Sequence, residues 1–137
     1  MLSPTVERKA RSHLRLAEGL MKTAQIADGA SEFEIRNAFS RSYYALFHAC
    51  YAHLLASGTD ATKAAAIARD HGRLQSAMRR PMGKPFERFL KSACETRHRS
   101  DYKPEWTVPA AAVAQKELSQ AKKQFYFLLF TVRRMLK

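Results

Sequence analysis

The run from Tyr43 to Leu55 constrains this chain more than any other stretch. At helical spacing it is apolar on nearly every side. A helix of that kind is either the centre of its own fold or is shared with a second subunit. A chain of 137 residues can cover such a helix only in part, so burial against a second copy, as a homodimer, is expected. The length fits one domain spanning residues 1–137. A chain of this size buries roughly two-thirds of its unfolded surface without a disulfide or metal staple.

Hydrophobic residues at 46% and charged residues at 26% make a globular composition, not a disordered one. Five Gly and five Pro are too few for the many turns of a sandwich or barrel, which leaves helices. Ser3 caps a first helix with Pro4 at its first position, and Val6, Ala10, His13/Leu14, Ala17, Leu20/Met21 and Ala24 recur towards a stop near Asp28-Gly29. Ser31 and Glu34 form a capping box for the second helix, which ends at Ser57-Gly58. Asp60 to Ala68 reads as a short helix or an ordered connection. Asp70-His71-Gly72 precedes a helical stretch through Leu74, Ala77 and Met78, ended by Pro81, Gly83 and Pro85.

A further helix is expected from Pro85 to Arg99, then a loop from Asp101 to Val108. A last helix starts near Pro109 with Val113, Leu118, Ala121, Phe125, Leu128, Leu129 and Val132 on its stripe. The pattern predicts an all-α fold, an antiparallel up-and-down four-helix bundle with one extra short helix.

Lys and Arg number 24 against 12 Asp plus Glu, a net charge of +12. Residues 1–70 hold nine basic and seven acidic side chains, and residues 71–137 hold fifteen and five. The second half therefore carries most of the field. It reads either as a solubilising surface or as an attraction for a polyanion such as nucleic acid. Cys50 and Cys94 lack CxxC or Cys/His ligand spacing and read as reduced core residues. The charged start after Met1-Leu2-Ser3-Pro4 offers no signal-peptide core, and the apolar run Phe125 to Phe130 is far short of the ~20 residues that span a bilayer. A cytoplasmic protein with no membrane association is expected.

No GxxxxGK[ST], GxGxxG, HExxH, GxSxG or paired Cys/His zinc pattern occurs, and neither cofactor nor metal is expected. Arg41 and His48 stand seven residues apart on the second helix, within ~20° of one face and ~10 Å along the axis. Tyr44 and Tyr51 share that face. A guanidinium, an imidazole and two phenols in one stripe suit phosphate and base. The alternative is a surface arginine and a hydrogen-bonded core histidine.

Arg97-His98-Arg99-Ser100-Asp101-Tyr102 is the second cluster. Its arginines either fork onto phosphate or serve structure, with cations offsetting the helix dipole and Arg97 pairing with Asp101 at i,i+4. His71 reads as a structural or incidental histidine at a helix start. Tyr102 and Trp106 either stack on bases or fold a loop onto the core.

Ser40-Arg41-Ser42-Tyr43-Tyr44-Ala45-Leu46-Phe47-His48-Ala49 resembles the SR-x-YYAxFHA signature of prokaryotic HEPN-domain proteins. Arg97-x-x-x-Asp101-Tyr102 looks like the R-x-x-x-[AS]DY element of that family, and Asp70-His71-Gly72 falls where many members carry a Thr-His-Gly step. The likeness covers about residues 10–135. It implies an all-α bundle that forms a homodimer. Many members are metal-independent ribonucleases, often toxins paired with a minimal nucleotidyltransferase as antitoxin.

Their active-site pattern is Arg, four to six residues, His. Arg41 and His48 match it, as do Arg8 and His13. Ser42 stands where nuclease members commonly carry Asn, Asp or His. The resemblance thus implies Arg41 and His48 as catalytic residues, with Tyr44, Arg97, Arg99, Asp101 and Tyr102 around the substrate. The second imidazole needed for two proton transfers is expected from the partner subunit. The alternatives are a non-catalytic HEPN module that binds a nucleotide or a nucleotidyltransferase partner, and a dimeric helical scaffold whose charge is only surface.

Overall fold

A computed structural model describes residues 2–137. Six helices form the fold: α1 (Pro4–Thr23), α2 (Glu32–Ala56), α3 (Ala61–Ala68), α4 (His71–Met82), α5 (Lys84–Tyr102) and α6 (Ala111–Met135). This exceeds the four long and one short expected, because Asp60 and Asp70 each cap a separate helix before α5 begins. No strand occurs among the described residues.

Local signals set most helix starts. The Ser3 hydroxyl accepts from the Val6 N–H, and Ser31 with Glu34 makes both hydrogen bonds of the capping box. Stops depend more on tertiary contacts. α1 ends at Thr23, short of Asp28-Gly29, because the link that follows is held extended from across the fold. There the Gln115 amide of α6 donates to the Ile26 carbonyl at 2.8 Å and to the Asp28 carboxylate at 3.0 Å. Pro81 lies inside the last turn of α4, and Gly83 (φ 92°) makes the break before α5.

α2 is the central element. α1, α5 and α6 pack along it, and α3 and α4 make smaller contacts, with His71 at the start of α4 against Tyr43 and Phe47. Tyr43, Leu46, Cys50 and Leu55 are among the largest fully buried side chains. Three helices of the same chain therefore account for most of α2's apolar circumference. α6 lies on α2 through Ala114, Leu118, Ala121, Phe125, Leu128, Leu129 and Val132. Val113, expected on that stripe, is 51% exposed instead, since Ala114 takes the inward position one residue on. α6 runs antiparallel to α1: Gln115 meets the α1–α2 link, Arg133 pairs with Glu18, and Arg11 donates to the Leu136 carbonyl. Among the described residues, no helix is long and apolar enough to cross a membrane.

Candidate functional site

One side of α2 stays uncovered between α1 and the start of α4 with the end of α5. Along it run Phe33, Asn37, Ser40, Arg41, Tyr44, Phe47 and His48 at helical spacing, from fully exposed to half-buried. Arg41 is exposed, and its guanidinium donates to the Thr23 carbonyl at 3.4 Å. Of the expected stripe of Arg41, Tyr44, His48 and Tyr51, the first three lie along this side of a single subunit, while Tyr51 is buried under His13 of α1.

His48 faces α1. Its Nδ1 lies 3.0 Å from Nδ1 of His13, with ring centroids 5.2 Å apart and planes 22° from parallel. The rings are nearly coplanar and meet edge to edge through these nitrogens. Tyr51, one turn along α2, stacks face-on against His13 at 4.2 Å, and Lys9 lies over the Tyr51 ring at 5.6 Å. Burial lowers the pKa of His48. It also lowers that of His13, where His48 and Lys9 add to the effect and bring it to about 4. Both rings are therefore neutral at pH 7. A bond between two Nδ1 atoms then requires that one carry the proton and the other accept it. Lys9, over the Tyr51 ring, supplies positive charge beside His13.

The second cluster meets the other edge of the strip. Arg97 is 6% exposed, so it does not present its guanidinium to solvent. That group lies 5.2 Å from the Tyr43 ring centroid, 5.6 Å from Tyr44 and 5.9 Å from Tyr102, and pairs with Asp101 at 3.9 Å. Asp101 also accepts from the Ser40 hydroxyl at 3.3 Å. The pairing with Asp101 read as an alternative in the sequence is thus present.

Tyr43 hydrogen-bonds His71 Nδ1 at the start of α4. Burial raises the pKa of the Tyr43 phenol, with Cys94 beside it contributing, so the phenol donates and His71 accepts. Burial, and then the Arg97 charge, lower the pKa of His71. The three sequence motifs therefore form one connected network. Arg99 is exposed and lines a groove of ≈ 720 Å³ with His71, Arg97, His98, Lys103 and Trp106, where Glu95 and Glu105 offset part of the charge. Tyr102 is 62% exposed.

Sequence reasoning missed two residues. In the sequence His13 is only a stripe residue of α1 and a second match to the Arg–His pattern; its contact with His48 is tertiary. Arg36 had no motif at all. It is buried and donates to five backbone carbonyls, of Arg99, Ser100, Lys103, Pro104 and Trp106, and to Glu32. That set closes the end of α5 and extends it to Tyr102, so Asp101 and Tyr102 are helical where the sequence pattern predicts a loop. Trp106 packs on Phe39, folding the following loop onto the core.

No family model, curated protein or solved structure matches the chain.

Proposed function

We propose that this protein is a HEPN-type, metal-independent RNA-cleaving enzyme. The observation that carries the reading is the uncovered strip of α2, on which Arg41 is exposed and His48 half-buried. In this reading α1, α2, α5 and α6 are the long helices of a HEPN-like four-helix bundle, and α3 with α4 form its connection. The RNA's own 2′-OH attacks the adjacent phosphorus. His48 acts as general base or acid, worth about 10²–10⁴-fold. Arg41 stabilises charge developing on the phosphorane oxygens.

Arg97 and Asp101, being paired with each other, hold Tyr44 and Ser40 in place instead of touching phosphate. Arg99, Tyr102 and Tyr44 contact the strand. The net charge of +12 draws the polyanion in. The open strip, with Phe33 80% exposed at one end, also serves as the homodimer seam. A cytoplasmic setting and a nucleotidyltransferase antitoxin complete the reading.

The test is cleavage of single-stranded RNA in EDTA by wild-type protein and by Arg41→Ala and His48→Ala. Loss of cleavage in both variants at unchanged melting temperature supports the reading. Equal cleavage by all three overturns it. Binding without cleavage, weakening steeply as salt is raised, favours the non-catalytic module instead.

A further inference from the structure

We propose that His13 is a second catalytic residue, and that His13 and His48 form a neutral acid–base couple within one subunit. This rests on the ribonuclease reading and replaces the partner-supplied imidazole with one from α1. The geometry is the near-coplanar contact of the two Nδ1 atoms at 3.0 Å. With both rings neutral, one imidazole carries its proton on Nδ1 and so leaves an Nε2 lone pair. The other accepts at Nδ1 and so carries an Nε2–H. One shared proton thus makes the two outer nitrogens opposite in kind, one a base and the other an acid.

Cleavage uses both nitrogens. The base Nε2 takes the proton of the 2′-OH as its oxygen bonds to phosphorus. The P–O5′ bond breaks with its electron pair on the 5′-oxygen, which takes the proton from the acid Nε2–H. The Nδ1 proton crosses from the first ring to the second. Protons balance, no redox change occurs, and both rings end neutral with their tautomers exchanged.

A build-up of imidazolium, which burial and the nearby Lys9 oppose, is avoided. Lys9 from α1 and Tyr51 from α2 lie against the pair, and no carboxylate is hydrogen-bonded to either ring among the described residues. An enzyme that needs one imidazole charged and one neutral has a bell-shaped pH–rate profile. The neutral couple instead gives a rate that rises with pH through the acid range and then stays level through pH 8.

The experiment compares initial rates of RNA cleavage in EDTA from pH 4.5 to 8 for wild type, His13→Gln, His48→Gln and the double variant. The expected result is a wild-type plateau and a loss of at least about 10²-fold in each single variant, with the double variant no slower than the singles. Cleavage by His13→Gln within threefold of wild type and with the same profile overturns the couple while leaving the ribonuclease reading intact. Wild-type protein that cleaves no RNA overturns that reading itself. Should His13→Gln fail to fold, nitrogen-15 NMR of the wild-type imidazoles decides. Two rings of opposite tautomer at pH 7 support the couple, and two rings of the same tautomer overturn it.

Discussion

The guanidinium of Arg97 lies 5.2 Å from the centroid of the Tyr43 ring, almost out of contact with solvent. An arginine from the second cluster thereby holds tyrosines of the first. Its Nε is buried without a hydrogen-bond partner among the described residues, so the ring faces and Asp101 provide most of what offsets its desolvation.

Arg97→Ala should therefore destabilise by about 2–4 kcal/mol, because a cation is lost from three rings and a cavity replaces it. Asp101→Asn should cost less than about 1 kcal/mol, since Asp101 is exposed and its ion pair is long. Urea denaturation of both variants checks this. Equal effects would contradict the burial of Arg97.

Arg36→Ala should cost about 2–4 kcal/mol, because several carbonyls at the end of α5 lose a charged donor. Arg36→Lys should recover only part of that, as an ammonium has three donors and no planar fork. Hydrogen exchange at residues 99–106 should quicken in the alanine variant. Unchanged protection there would show that Arg36 does not hold the segment.

Stability should fall as pH drops from about 6.5 to 4. His13 has a folded pKa of about 4, below its unfolded value, so the unfolded chain binds the extra proton in that window. His48, His53 and His71 are shifted in the same direction by burial. The His13 share is about 1–3 kcal/mol, the lower end applying if solvent reaches the half-buried ring freely. Chemical denaturation at pH 7 and pH 4.5 should show the loss, and His13→Gln should flatten the slope. A slope unaltered by that substitution would remove His13 as its source.

On α6, Phe125 is fully buried while Phe127 is 64% exposed. Phe125→Ala should cost about 3–5 kcal/mol and Phe127→Ser less than about 0.5 kcal/mol. Thermal melts of the pair test the helix's register directly, and a reversed order would rotate α6.

Helix starts were legible in the sequence because their causes are local: Ser3, Ser31, Asp60 and Asp70 each cap with their own side chain. Ends were less legible because distant residues set them. Gln115 holds the chain after α1, and Arg36 holds the end of α5. The stripe of Arg41, Tyr44 and His48 follows from spacing alone, and its openness depends on where α1 and α5 leave a gap. Nothing in the spacing of His13 and His48 indicates that their nitrogens meet. That contact arises only when α1 and α2 pack.

The most direct measurement is incubation of the purified protein in EDTA with a single-stranded RNA and with DNA of the same sequence, followed by identification of the product ends. Attack by the 2′-OH requires cleaved RNA bearing 2′,3′-cyclic phosphate and intact DNA. RNA left whole by protein in molar excess, or DNA cut as readily as RNA, would contradict the assignment of the α2 strip to this chemistry.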